Sequence, residues 1–297
     1  MTDKPSSLKL LFVVNPKSGK TDTDWLQLIT DHFKEENAEA DILELEEDCD
    51  PEVIAKKISE SKPNRIIAVG GDGTVKLVAE QILDKPHISL GILPAGSANG
   101  MAKELNIPVK PEEALKLCYE GVPQKIHLIK INNEICIHLS DVGFNAFVIK
   151  MFEKADGRGM WGYVKASWKA LWQHDKLDVK IRTNEDIVQR SAAMIVIANA
   201  TKYGSGALIN PEGELDDNLF EVIVVREISL TEIFKMMVTH MAYNPKKTEV
   251  FQCKHLDITS KKHAHFQVDG EYLGKTNKVT ASLLPAAISI IVPAAAK

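Results

Sequence analysis

Arg65-Ile-Ile-Ala-Val-Gly-Gly-Asp-Gly-Thr74, continued by Val75-Lys-Leu-Val-Ala-Glu-Gln-Ile-Leu83, decides how the first half of this chain reads. A short apolar run breaks into glycines and then into apolar residues at helical spacing, which predicts a buried strand, a tight loop and a helix. Glycines let the backbone approach a ligand closely, and the N–H groups that open the helix favour anions. Asp72, set among those donors, is not there to bind phosphate by charge. It suits a metal ion or a reacting hydroxyl beside the phosphate. Kinase chemistry is therefore the first expectation, and a plain strand-to-helix turn is the competing one.

The same alternation surrounds this stretch. Residues 8–14, 40–45, 65–69 and 88–93 read as strands, and residues 23–36, 51–61 and 74–83 as helices. The second helix is opened by Asp50 as N-cap, with Pro51 in its first turn. Continuous apolar strands between helices predict a parallel, Rossmann-like sheet covered on both faces, an α/β domain over residues 1–122. Such sheets bind ligands beyond the carboxyl ends of their strands. Two further strand ends carry small polar loops, Asn15-Pro-Lys-Ser-Gly-Lys20 and Leu93-Pro-Ala-Gly-Ser-Ala-Asn-Gly-Met-Ala102. The first offers an amide, a hydroxyl, a lysine and a flexible glycine, all suited to phosphate or ribose, without the glycine spacing of a P-loop. Three such loops on one sheet are hard to attribute to turns alone.

After Gly121-Val-Pro123 the texture changes. Residues 125–131 and 134–139 flank Asn132-Asn133, a hairpin signal. Strand-like runs recur at 177–183, 189–198, 219–225, 251–260, 265–268, 278–283 and 288–292, with helical patterns at 160–173 and 230–241. These predict a β-rich, antiparallel, sandwich-like second domain over residues 123–283.

The 297 residues suffice for two domains and a sizeable core. With 44% hydrophobic and 26% charged residues the chain is globular, and its net charge of −5 argues against general nucleic-acid binding. Cys49, Cys118, Cys136 and Cys253 lie far apart without metal-ligand spacing, which fits reduced thiols. Met1-Thr-Asp-Lys-Pro-Ser-Ser7 lacks the apolar region of a signal peptide, and no apolar run reaches about 18 residues. The expectation is a cytoplasmic protein whose membrane contact, if any, is peripheral at the inner surface.

Taken in order, Asn15-Pro-Lys-Ser-Gly19, Gly70-Gly-Asp-Gly-Thr74, Pro94-Ala-Gly-Ser-Ala-Asn-Gly100, Leu215-Asp-Asp-Asn-Leu219 and Asp269-Gly-Glu271 resemble the diacylglycerol-kinase catalytic family, which includes bacterial lipid kinases, sphingosine kinases and ceramide kinases. The likeness runs across nearly the whole chain, whereas Gly-Gly-Asp-Gly-Thr alone is also similar to NAD kinases and phosphofructokinases. The resemblance implies a two-domain lipid kinase with ATP in the cleft and a final strand, within residues 284–297, returning to the N-terminal domain. It implies that Asp72 acts near the γ-phosphate and the lipid hydroxyl, through Mg²⁺ or as proton acceptor, and that Glu271 matches the proposed base. Gly70, Gly71, Gly73, Thr74 and Ser97 match nucleotide-contacting positions, and Asn15, Lys17, Ser18, Gly19, Gly96 and Asn99 share those loops. A divalent ion, Mg²⁺ or Ca²⁺, would sit in the second domain on Asp217 and the carbonyls of Glu214 and Leu219. The chain also departs from the family. Gly100 stands where a carboxylate is usual, as in the sphingosine-kinase form of the loop, and His127 stands where an Asp belongs to the acidic network. Asn218 replaces the usual glycine of the metal loop, a position where Asn tolerates a left-handed backbone.

Met160-Trp-Gly-Tyr-Val-Lys-Ala-Ser-Trp-Lys-Ala-Leu-Trp172 is the membrane candidate. Trp161, Trp168 and Trp172 recur at near-helical spacing, and residues 150–180 hold seven Lys/Arg against four Asp/Glu on an otherwise acidic chain. Aromatics with lysines suit a helix lying on an anionic bilayer, and an amphipathic helix packed on its own domain explains them equally. His127, His138 and His265 lie in apolar runs and read as core or edge histidines. The expected function is an ATP- and Mg²⁺-dependent lipid kinase acting on a hydroxyl of a diacylglycerol-like or sphingoid lipid, with a homodimer as candidate assembly. The alternatives are an NAD-type kinase with a soluble substrate and a non-catalytic nucleotide or lipid sensor. Either Asp72 or Glu271 serves as the base.

Overall fold

The structure is a computed structural model and describes residues 8–18, 23–33, 38–46, 50–153, 176–202, 208–229 and 244–294. The chain divides into two units, Met1–Ile126 with Ala286–Lys297, and His127–Pro285.

The first unit is a parallel sheet with helices. Its strands are β1 (Leu8–Val14), β2 (Ala38–Glu44), β3 (Arg65–Gly70) and β4 (Ser89–Pro94), and its helices are α1 (Trp25–Phe33), α2 (Pro51–Ser61), α3 (Asp72–Glu80), α4 (Gly100–Glu104) and α5 (Pro111–Glu120). Strand β1 pairs in parallel with both β2 and β3, and β3 pairs in parallel with β4. The end of the last strand, β14 (Glu271–Val292), joins the other side of β4, again in parallel, through Ser289 opposite Ser89 and Ile290 opposite Leu90. Leu10 to Val14, Ile66 to Val69 and Leu90 to Leu93 are buried at every position because both faces of this sheet are covered, which is why these strands read as unbroken apolar runs. Helix α2 starts where its cap predicts, the Asp50 carboxylate accepting the Glu52 N–H at 3.0 Å, and ends at Lys62 in a left-handed conformation. Sequence periodicity missed α5, although Pro111 followed by two glutamates is a helix-start signal. Its C-terminal carbonyls are satisfied from β3, where the Arg65 guanidinium donates to the carbonyls of Cys118, Tyr119 and Gly121 at 2.7, 2.8 and 3.0 Å.

The second unit is antiparallel. It contains β5 (Val122–Ile131), which enters from the first unit, then β6 (Glu134–Cys136), β7 (Leu139–Gly143), β8 (Leu177–Arg182), β9 (Ile187–Ala192), β10 (Met194–Ala198), β11 (Phe220–Val225), β12 (Thr248–Cys253), β13 (His255–Val268) and the first part of β14. The domain change expected at residue 122 lies at Ile126, because β5 runs without a break past Pro123. The ladder order is β12-β11-β10-β7-β13-β14, with β8 also beside β13 and β9 outside β8, and β5 between β14 and β6. Helix α6 (Phe144–Glu153) follows β7. Strands β10 and β11 are buried on both faces: Ile195, Ile197, Val222 and Val224 enter the core between strands, whereas Met194, Val196, Ile223 and Val225 pack with Phe144 and Val148 of α6.

Three expected strands are each two strands. Residues 189–198 divide at Ala193, whose N–H donates to the Val225 carbonyl while its carbonyl accepts from Phe144, so the chain leaves β8 and joins β11 and β7. Residues 251–260 divide at Lys254, where the Asn184 side chain accepts the N–H groups of both Lys254 and His255 at 2.9 Å. Residues 134–139 divide because the Asp269 carboxylate takes the N–H groups of Ile137, His138 and Leu139. Conversely, residues 265–268 belong to the continuous β13, and residues 278–283 and 288–292 to the continuous β14. The helical patterns at 160–173 and 230–241 lie outside the described residues.

Candidate functional site

The three loops of the first unit are bonded to one another. Asn15, at the end of β1, donates from its side-chain amide to the Thr74 hydroxyl at 3.2 Å, and its N–H donates to the Val69 carbonyl at 3.0 Å. The other face of the Asn15 side chain accepts the Lys17 N–H at 3.1 Å, and its carbonyl accepts the Ser18 N–H at 3.1 Å, so Asn15 shapes its own loop while holding the neighbouring one. Gly19 lies outside the described residues.

The second and third loops meet through backbone. A Cβ on Gly96 would run into the Gly71 Cα and stand 2.9 Å from Asn99 Oδ1 and 3.0 Å from the Gly71 nitrogen, so these glycines are imposed by loop-to-loop contact. A Cβ on Gly70 would collide with the Thr74 side chain. Gly73 differs, since among the described residues a Cβ there meets nothing within 4 Å. Asn99, left-handed at φ 52°, accepts the Gly96 N–H at 2.9 Å and donates to the Gly96 carbonyl at 2.8 Å, closing the third loop on itself. Ser97 is exposed at its tip.

Asp72 opens α3, and its two oxygens accept the N–H groups of Gly100 and Met101 at 2.9 and 3.0 Å. The carboxylate thereby caps α4 from 28 residues away and locks the third loop onto the second. Gly100 is buried at this junction. The N-terminus of α3 itself has Gly71 as its cap, and a glycine offers no side chain to accept the N–H groups of that first turn. This uncapped turn, with room at Gly73, fits an anionic ligand such as a nucleotide phosphate. Lys76, one turn beyond Asp72 and 8% exposed, is a buried cation that apolar spacing did not single out.

In the second unit, Glu214, Asp217 and Leu219 share one loop ahead of β11. Asp217 Oδ1 accepts the Leu219 N–H at 2.9 Å around Asn218, which is left-handed at φ 64°, as its replacement of a glycine requires. The loop is tied to β5 by the His127 N–H, which donates to the Leu215 carbonyl at 2.9 Å. One carboxylate and main-chain carbonyls are an oxygen donor set suited to a hard cation. No cluster of three or more His, Cys, Asp or Glu side chains that could hold a metal occurs among the described residues, so a metal here would depend on those carbonyls. His127 is 1% exposed, and neither ring nitrogen makes a hydrogen bond of normal geometry among the described residues. Burial lowers its pKa, opposed by Asp217, Asp216 and the nearby Leu219 backbone.

Glu271 stands on a different element, exposed at the start of β14 directly after the turn Asp269-Gly270. Both turn residues have positive φ, 50° and 88°, as a two-residue hairpin of this hand needs. The Asp269 carboxylate accepts N–H groups from Ile137, His138 and Leu139 at 2.9, 2.9 and 3.2 Å, an anchor that the Asp-Gly turn signal does not reveal. A concavity of about 510 Å³ on β8, β9 and β13 contains none of the motif residues. Trp161, Trp168 and Trp172 lie outside the described residues, and no described helix is long and apolar enough to cross a membrane.

Comparison with known proteins addresses the family and the fold. Over 229 residues the chain is 28% identical to a diacylglycerol kinase of Staphylococcus epidermidis, covering 74% of this chain and 72% of that one. It is 26% identical over 253 residues to a Chromohalobacter salexigens protein named "Probable lipid kinase YegS-like", covering 81% and 79%. The fold matches the crystal structure of a diacylglycerol kinase from Bacillus anthracis with a TM-score of 0.72 at 20% identity, covering 98% and 99% of the two chains. A yeast NADH kinase shares the fold more distantly, with a TM-score of 0.56 at 10% identity over 98% of this chain and 85% of that one. Residues 9–131 match the diacylglycerol kinase catalytic domain and residues 140–292 the YegS C-terminal NAD kinase beta sandwich-like domain, and the chain belongs to the diacylglycerol-kinase catalytic family of lipid kinases.

Proposed function

We propose that this protein transfers the γ-phosphoryl group of ATP to a hydroxyl of a diacylglycerol-like or sphingoid lipid. The observation that carries the reading is the interlocked set of strand-end loops, Asn15 on Thr74, Gly71 against Gly96 and Asp72 on Gly100 and Met101, around an α3 N-terminus where Gly73 has no neighbour against a Cβ among the described residues. Phosphoryl transfer depends mainly on positioning and charge stabilisation, and a rigid cradle of backbone donors supplies both. The nucleotide phosphates would lie on the N–H groups of Gly73 and Thr74, with Ser97, Lys17 and Ser18 on the flanking loops. Mg²⁺, when bound, would neutralise charge on the phosphates. Asp72 already gives both oxygens to N–H donors, which suits it to organising the site; Glu271, exposed on a fixed hairpin, is better suited to accept the proton of the attacking hydroxyl. Contact with the lipid surface would be peripheral.

The substrate class is tested by incubating the protein with labelled ATP, Mg²⁺ and either a lipid in mixed micelles or NAD. The expected result is a phosphorylated lipid and unmodified NAD. Formation of NADP with no lipid product would replace the reading with that of an NAD-type kinase, and no transfer to either would favour a non-catalytic sensor.

For the second unit we propose a structural Mg²⁺ or Ca²⁺ held by Asp217 and the carbonyls of Glu214 and Leu219. An ion that binds the folded state alone raises its stability by mass action. Asp217→Ala is expected to abolish a rise in Tm with divalent ion, measured against chelator without nucleotide. The same ion response in wild type and variant would leave Asp217 as a turn residue.

A further inference from the structure

The turn that carries Glu271 is braced from the interior by groups that no motif includes. Strands β7 and β13 pair so that Asp141 lies directly opposite Gln267, while Ser140 donates from its hydroxyl to the Gln267 carbonyl at 2.6 Å. Gln267 Nε2 donates to Asp141 Oδ2 at 2.6 Å, and Gln267 Oε1 accepts the Gly270 N–H at 2.7 Å. The orientation of this amide is forced, because Gly270 N–H can only donate and therefore requires the oxygen. Nε2 is then committed to finding an acceptor, and Asp141 is that acceptor. Asn145 Nδ2 donates to the same Asp141 oxygen at 2.6 Å, and the Ala146 N–H in the first turn of α6 donates to the other at 2.7 Å. All three partners of Asp141 are donors as they stand, and a carboxylate accepts all three.

Asp141 is 0% and Gln267 1% exposed, which places an ionisable group in the core at a cost that packing alone would not require. Burial pushes the Asp141 carboxyl up to about 6, with the bonds from Asn145, Gln267 and Ala146 holding it back, so it is ionised at neutral pH. From the other side the Asp269 carboxylate is seated on three N–H groups between β6 and β7. Gly270, the residue immediately before Glu271, is thus the point where the buried carboxylate acts on the exposed one.

We propose that Asp141 and Gln267 are positioning residues that hold the Asp269-Gly270 turn and thereby set where the Glu271 carboxylate stands during phosphoryl transfer. The inference rests on the reading of Glu271 as the proton acceptor. A displacement of about 1 Å at a reacting group costs up to about a hundredfold in rate.

The test uses the full chain and four variants, Asp141→Asn, Gln267→Glu, the double exchange Asp141→Asn/Gln267→Glu, and Glu271→Gln. Asp141→Asn sets amide against amide and Gln267→Glu sets carboxylate against carboxylate. The double exchange restores one of each across the strand pair, with a carboxylate oxygen still available to Gly270, and the Asn145 amide, turned over, presents its oxygen to the new amide at position 141. In the mixed-micelle assay with ATP and diacylglycerol, each single variant should lower kcat about ten- to a hundredfold with both KM values little changed, and the double exchange should recover most of the loss. In a Glu271→Gln background, Asp141→Asn should have no further effect on kcat, because it acts through Glu271. Equal fractional losses with and without Glu271 would overturn the proposal. So would a double exchange that folds, by Tm, without recovering kcat, and this decides the matter if a single variant does not fold. Hydrogen exchange at the Gly270 and Glu271 amides reads the brace without reference to activity. Exchange that is faster in Asp141→Asn and restored in the double variant supports the brace, and unchanged exchange sinks it. Altered exchange in a protein that phosphorylates no lipid would place the failure in the proposed reaction instead.

Discussion

Asp72→Asn should lower kcat for lipid phosphorylation by at least about a hundredfold, the loss typical of removing one preorganised electrostatic contributor. The structure adds a second expectation. Because the carboxylate accepts the Gly100 and Met101 N–H groups, an asparagine keeps one acceptor and turns its amide against the other donor. Stability should fall by about 1–2 kcal/mol, in the range of a lost helix cap. Kinetics and a thermal melt on the same preparation check both parts. A folded Asp72→Asn protein with near-normal turnover would remove Asp72 from the chemistry, and a loss of Tm without loss of kcat would make it a loop clamp alone.

Gly96→Ala and Gly73→Ala should separate what the fold needs from what the ligand needs. The alanine at 96 drives into the Gly71 backbone, so the loops must part; Tm falls, with stability lower by about 1–3 kcal/mol for an overpacked contact, and kcat/KM for ATP falls with it. The alanine at 73 meets nothing within 4 Å among the described residues, so Tm should hold while kcat/KM for ATP drops about ten- to a hundredfold, the cost of displacing a bound phosphate. Wild-type kinetics in Gly73→Ala would mean that no ligand approaches α3 at that point. A fall in its Tm comparable to that of Gly96→Ala would mean the open space is not open.

The first unit was legible because its signals are local. Asp50-Pro51 marks the start of α2, and the glycines of residues 70–73 mark the break from β3 to α3 within one short stretch. Parallel strands buried on both faces leave a continuous apolar run that no alternative register disguises. In the second unit the decisive contacts are remote. The breaks at Ala193 and Lys254 depend on which strand the backbone bonds next, and that is invisible in a run of alternating residues. Asp269 read as a turn former, whereas its carboxylate is seated on backbone 130 and more residues earlier in the chain. The same limit hid the hold of Asp72 on the third loop, since the motif shows the carboxylate but not its partners. Asp141 carried no signal at all, because a single acidic residue in Leu139-Ser-Asp-Val-Gly143 becomes informative only when Gln267 is found opposite it.

Strand β14 begins in the antiparallel unit and finishes beside β4 in the parallel one, so the first unit is not a contiguous piece of chain. On a ribosome, where synthesis proceeds at about 5–20 residues per second, β1 to β4 emerge long before Ser289 and Ile290 do. Throughout that interval β4 presents an unpaired flank, the kind of edge that invites association with other chains. Completion of the parallel sheet is thereby tied to synthesis of the β-rich unit, whose chain must be laid down before its final strand can arrive.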